Sequence, residues 1–156
     1  MNLTRVLKQN DFEKAYNALE KMDFEYTLSN LTRVFPNCNL ILLYTFLMYS
    51  ISKKETIQKH LSICECLTYM EPYIYESTFM VRWHINHALS LQEDSEKIMA
   101  WVIEVYGADP SSPFSEIELT TFAQNVIRKQ PGNLVAYNFL NSQINQNEII
   151  FSALQN

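Results

Sequence analysis

The sequence predicts an all-α protein made of stacked antiparallel helical hairpins, about eight or nine helices in all. Three observations carry this. Glycine occurs only twice in 156 residues, at Gly107 and Gly132, whereas the turns and bulges of a β-rich chain draw on glycine for positive φ. No Asn-Gly or Asp-Gly pair marks a hairpin turn. Apolar residues recur at spacings of three and four along most of the chain, in segments of roughly 10–20 residues joined by short polar turns. Short connections of that kind set consecutive helices side by side and antiparallel.

Leu3, Val6 and Leu7 make a short apolar stripe. Asn10 or Asp11 suits an N-cap for a helix carrying Phe12, Ala15, Tyr16, Leu19 and Met22. Asp23 restarts the pattern with Phe24, Leu28, Leu31 and Phe35, and Pro36 stops it by pushing Phe35 out of the α region. From Leu40 to Met48 every residue except Thr45 is apolar or aromatic. That stretch, capped by Asn37 or Asn39, is the expected centre of the fold, buried on most sides. It is too short to cross a bilayer, which takes roughly 20 apolar residues.

After the polar Lys53-Lys54-Glu55 turn, Ile57, Leu61, Cys64 and Leu67 form the next stripe, with His60 beside it. Pro72 suits the first turn of a helix reaching about residue 91, which carries Ile74, Met80, Val81, Trp83, Ile85, Ala88, Leu89 and Leu91. A polar junction at 93–96 leads to Ile98, Trp101, Val102 and Val105, closed by Gly107 at a C′ position. Ser112 as N-cap and Pro113 at the first helical position open a helix with Leu119, Phe122, Ala123, Val126 and Ile127 inward. Pro131-Gly132-Asn133 is a turn, Leu134 to Ile144 is a helix, and 148–154 is a short final one. The hairpins run over about 11–35, 37–69, 72–106 and 113–145, in a single domain of 156 residues. A domain of this size buries roughly 68–70% of its unfolded surface and needs no metal or disulfide to stay folded.

Net charge is −5, unevenly placed. Residues 1–60 hold eight Lys/Arg and six Asp/Glu, and residues 61–156 hold four and eleven. The later part should repel phosphate backbones and attract a basic partner. The N-terminal segment has no apolar core of the kind a secretory signal needs, and the cysteines number three. Reduced thiols and a cytoplasmic location are therefore expected.

Pro36 and Pro72 lie 36 residues apart, and Pro72 and Pro110 lie 38 apart. Between them Tyr44, Leu47, Ile51, Cys64, Leu67 and Pro72 resemble the apolar and terminal-proline positions of a tetratricopeptide unit. Met48 departs from the glycine and His60 from the small residue typical of that family. The resemblance spans about residues 11–106 and implies a concave face that binds a peptide or protein surface. The alternative architecture is an irregular helical bundle.

Few catalytic patterns are present. His60, Cys64 and Cys66 could pair with His84 and His87 around zinc, but no CxxC or HExxH spacing supports the four ligands a closed site takes. Buried Cys and His are commoner in cores, so no metal is assigned. None of the three histidines has Glu three residues before it, and neither a glycine-rich phosphate loop nor a G-x-S-x-G elbow exists. No cofactor is expected. Arg82 and His87, with four residues between them, resemble the signature of helical HEPN ribonucleases. That resemblance implies a His general base and an Arg that steadies a phosphorane. Trp83 departs from the polar residue usual after the Arg, and the acidic surroundings oppose RNA binding.

Tyr69, Tyr73 and Tyr75 are interleaved with Glu71 and Glu76, and Glu93, Asp94, Glu96 and Asp109 follow. Aromatic anchors beside steering carboxylates suit a protein interface. In size, charge and lack of catalytic motifs the chain resembles helical immunity proteins of contact-dependent growth inhibition systems. The expected function is thus non-catalytic: binding and neutralising a basic toxin such as a nuclease, through Glu71, Tyr73, Tyr75, Glu76, Glu93, Asp94, Glu96 and Asp109 in an acidic surface reaching from about Glu65 to Glu118. The alternatives are a HEPN-like ribonuclease acting through Arg82 and His87, and a helical-repeat adaptor or secretion chaperone. Neither a nucleic acid nor a membrane is an expected partner, and the oligomeric state is not determined.

Overall fold

A computed structural model describes the backbone of residues 2–70, 77–91 and 95–153, with side chains for all of these but Met70 and 145–153. Among the described residues there are nine α-helices and no strand, packed mostly in consecutive pairs. The chain divides into two compact units, residues 1–93 and 94–156. The first holds α1 (Leu3–Lys8), α2 (Phe12–Glu20), α3 (Leu28–Val34), α4 (Leu40–Lys53), α5 (Ile57–Met70) and α6 (Ser77–Ser90). The second holds α7 (Ser95–Tyr106), α8 (Glu116–Lys129) and α9 (Leu134–Ala153).

The helix starts follow from short polar side chains. Asn2, Asp11, Thr27 and Asn39 each accept a hydrogen bond from the amide three residues on, at 3.1, 3.2, 3.3 and 2.8 Å. Each satisfies one of the amides a helix leaves unpaired at its N-terminus. Between the helices Asn10, Asp23 and Asn37 adopt positive φ of 59°, 48° and 57°. These residue types tolerate the left-handed region because their side chains bond locally. A chain with almost no glycine turns its corners on them.

Three boundaries and the conformation of one glycine differ from the sequence reading. The helix expected to restart at Asp23 begins instead at Leu28, because Thr27 provides the cap and Asp23 is a left-handed turn residue. Ser115, not Ser112, caps α8: its hydroxyl receives the Glu118 amide and Glu118 reaches back to the Ser115 amide. That reciprocal box satisfies two amides at once, whereas Ser112 serves a turn, accepting from the Phe114 amide at 3.1 Å. Gly107 does not have positive φ. It is small because a Cβ there would lie 2.4 Å from the Ile103 carbonyl oxygen and 3.0 Å from the Phe139 ring. Finally, α9 continues through 145–147, where the sequence suggested two separate helices.

The centre of the first unit is α5, not α4. Ile41 on α4 is 62% exposed, and Thr45 lies on the same outer face. The α4 core is the narrower set Leu43, Phe46, Leu47 and Ser50. By contrast α5 packs against α3, α4 and α6 and buries Lys59, His60, Ser62, Ile63, Cys64, Cys66 and Leu67. Apolar density marked the wrong helix, because burial follows the number of neighbours a helix acquires, and the polar residues on α5 find partners inside.

Lys59 shows how. It is 1% exposed. Its ammonium donates to the carbonyls of Lys54 and Ser50 at 2.8 and 3.1 Å, closing the end of α4. The Glu20 carboxylate stands 3.8 Å away, and the Tyr16 and Tyr26 rings lie 5.0 and 4.7 Å from the nitrogen. Burial lowers the Lys59 pKa and Glu20 opposes it. One cation therefore ties α2, the segment before α3, and the end of α4 to α5. Glu65 does the converse for α3, accepting the Leu28 amide at 3.1 Å. Further out, Glu13 on α2 accepts from Tyr49 and pairs with Lys53 on α4 at 2.8 Å. Lys53 above all holds its carboxyl down at about 2. No described buried side-chain nitrogen or oxygen lacks a hydrogen-bond partner.

Candidate functional site

The second helix of the α5–α6 pair carries the most unusual surface. Val81, His84, Ile85 and Ala88 turn into the core, and Phe79, Trp83, Asn86 and Ser90 line the opposite face. Phe79 is 72% exposed and Trp83 49%. They are four apart, one helical turn, and so neighbours on the surface. The sequence reading counted Trp83 among the apolar residues of this helix without assigning it a side. The apolar stripe of α6 is filled by smaller residues, and the indole is left outside.

Beneath Trp83 the three histidines of the chain converge. The His87 ring, another turn along, stacks on the indole at 3.8 Å between centroids, and its Nδ1 lies 3.1 Å from the Trp83 carbonyl oxygen. The His84 ring meets the same indole edge-on at 4.8 Å. His60 comes across from α5: its Nδ1 is 2.9 Å from His84 Nδ1, and its ring lies 5.9 Å from His87. On its other side His60 Nε2 is 2.9 Å from the Glu55 carboxylate. A carboxylate only accepts, so His60 Nε2 carries a proton in this arrangement. His60 Nδ1 then accepts, and His84 Nδ1 is the donor between the rings. Burial lowers the His60 pKa against the pull of Glu55. Burial, and then the neighbouring His60 and His87, depress that of His84 to about 4.

Arg82 and His87, the pair resembling a ribonuclease signature, share α6. Five residues turn a helix by roughly 140°, so the two project in different directions from one chain. His87 is held against the indole. Cys64 is buried with its sulfur toward the Val81 carbonyl, and burial pushes its thiol up; the Cys66 thiol is pushed to about 12. Both are neutral, and no group of three or more His, Cys, Asp or Glu among the described residues is arranged to hold a metal ion.

Of the expected docking residues, Glu71, Tyr73, Tyr75, Glu76, Glu93 and Asp94 lie outside the described residues. Glu96 on α7 pairs with Lys129 on α8 at 3.0 Å, and its own backbone amide followed by Lys129 lowers its pKa. Asp109 accepts from the amide and hydroxyl of Ser111 and borders an open cleft of about 420 Å³ floored by Tyr106, Phe114, Leu119 and Phe139. Six carboxylates between 65 and 118 are described, and four of them, Glu65, Glu96, Asp109 and Glu118, have partners within their own unit. Phe79 and Trp83, absent from the expected contacts, form the face described above. Their spacing of four was visible in the sequence; which side of α6 they would take was not.

No described helix is long and apolar enough to cross a membrane. Searches of protein families, of curated proteins and of solved structures find no match to this chain.

Proposed function

We propose that this is a non-catalytic protein-binding module that docks a basic partner on the Phe79–Trp83 face of α6, with toxin neutralisation as its specific role. The observation that carries this reading is the pair of large aromatics, 72% and 49% exposed, one turn apart on a face otherwise bearing the uncharged Asn86 and Ser90. Trp is the residue type most enriched at energetic hot spots, and a face without charges is cheap to dry. Trp83 is also held in place by His87, so little side-chain freedom remains to be lost on binding. One side of the indole rests on imidazole, and the other can receive a cation from the partner. The net charge of −5 favours the approach of such a partner.

The test is affinity capture in moderate salt from cells that make the protein, with Trp83→Ala, Phe79→Ala and, as a control on another exposed residue, Ile117→Ala. The expected result is a basic protein retained by the parent and the control and weakened by about 2 kcal/mol, roughly 30-fold, in Trp83→Ala. Retention of that protein by a Phe79→Ala/Trp83→Ala double variant would overturn the assignment of this face.

A further inference from the structure

We propose that His60 and His84, with His87 above them, form a proton-operated latch under the Trp83 face: the neutral buried pair helps to hold the indole, and uptake of a second proton by that pair releases it. The proposal takes from the preceding reading only the purpose of the face; the latch itself rests on the geometry of the histidines.

The two Nδ1 atoms are 2.9 Å apart and share one hydrogen. A first added proton can go to His84 Nε2 and leave that bond intact, because His84 Nδ1 still donates and His60 Nδ1 still accepts. A second has only His60 Nδ1 to occupy, since Glu55 already keeps a proton on Nε2. Two N–H groups would then face each other on two buried cations, and the rings must separate. Trp83 touches this unit on more than one side, stacked on His87, edge-on to His84 and 6.3 Å from His60. Separation of the pair therefore withdraws two of the three rings that seat the indole and leaves it on His87 alone.

The charged and titratable groups around the cluster set its sign. Glu55, in the turn between α4 and α5, favours the charged form of His60, and His87 on α6 opposes it. His60 and His87 both oppose protonation of His84. Cys64, one turn along α5, is a neutral thiol directed at Val81. The other charges near α5 are turned to different partners: Lys59 to the end of α4, Glu65 to the Leu28 amide of α3, and Lys53 of α4 to Glu13. The burial that disfavours charge is offset by one exposed carboxylate, Glu55, so the His60–His84 pair is neutral near neutrality and opens on acidification.

The experiment uses the full chain with Trp101→Phe, which leaves Trp83 as its only tryptophan. Quenching by acrylamide, a neutral probe, is followed from about pH 7.5 to about pH 2.5, with far-UV circular dichroism on the same samples. The expected result is that quenching about doubles as a 49% exposed indole becomes free, at a midpoint below the ordinary histidine range and with helicity retained. Glu55→Gln, a change at an exposed position, should move that midpoint to lower pH, because it removes the group that favours a charged His60. His84→Phe should flatten the curve. A quenching profile that stays level over the range, or a Glu55→Gln midpoint that fails to move down, would overturn the latch even if His84→Phe does not fold. Neither readout involves a partner, so loss of the docking reading leaves this test intact, and loss of the latch leaves the capture experiment intact.

Discussion

Replacing Lys59 by Met keeps the four-atom stem and removes only the ammonium, so it isolates what a buried cation contributes here. In the native state that cation donates to two carbonyls and stands over two tyrosine rings. The Ser50 carbonyl also accepts from the Lys54 amide at 3.0 Å and is not orphaned by the change. The Lys54 carbonyl loses its charged donor, which is worth about 1.5–3 kcal/mol. The two ring contacts add on the order of 1 kcal/mol. Against these stands the relief of no longer burying an ammonium whose single acidic neighbour, Glu20, is 3.8 Å away, and buried ion pairs often break even with apolar replacements. The Tyr26 hydroxyl donates to the same Glu20 at 3.1 Å, so the carboxylate keeps one partner. The donor and ring losses outweigh the relief, leaving Lys59→Met less stable by about 2 kcal/mol. Urea unfolding followed by circular dichroism should show a lower midpoint with an unchanged slope. A Lys59→Met protein as stable as the parent or more so would show that desolvation governs this site and that the cation is tolerated rather than stabilising.

Three further outcomes are expected. His84 titrates near 4 when folded and near 6.5 when unfolded. The unfolded chain therefore takes up the proton first, and stability is full above about pH 6.5 and falls by about 3 kcal/mol on acidification to pH 4. Urea midpoints across that window should fall in the parent and flatten in His84→Phe. Gly107→Ala places a carbon 2.4 Å from the Ile103 carbonyl oxygen of α7 itself and 3.0 Å from the Phe139 ring of α9, so the backbone at the end of α7 must move at a cost of about 1–3 kcal/mol, readable by calorimetry. Ser115→Ala removes one half of the α8 capping box and should cost about 1 kcal/mol in the same measurement, with no effect on capture through α6.

How much of this was legible beforehand differs from residue to residue. Of the paired candidates Asn10 or Asp11 and Asn37 or Asn39, Asp11 and Asn39 are the caps, since a cap is a matter of three consecutive amides and one side chain. Ser112 was expected to cap α8, and Ser115 does so instead, because Ser115 has Glu118 three residues on to complete the reciprocal box. Trp83 fell inside an apolar pattern and still emerged exposed, because α6 has more large residues than its buried side accepts. For the docking residues, those on Glu96 and Asp109 turn out to carry internal bonds, a use that no spacing reveals.

The sequence by itself determined the helical class, most helix boundaries to within a few residues, and some of the residues that cap them, such as Asp11 and Asn39. All of these depend on contacts only a few residues long. Tertiary structure alone decided which helix became central, how Lys59 found a polar environment without water, and that His60 would meet His84 across 24 residues of chain. Periodicity tells which side of a helix is apolar but not which other helix will cover it. That choice depends on the packing of the whole unit, and here it brought every histidine to the underside of one exposed tryptophan.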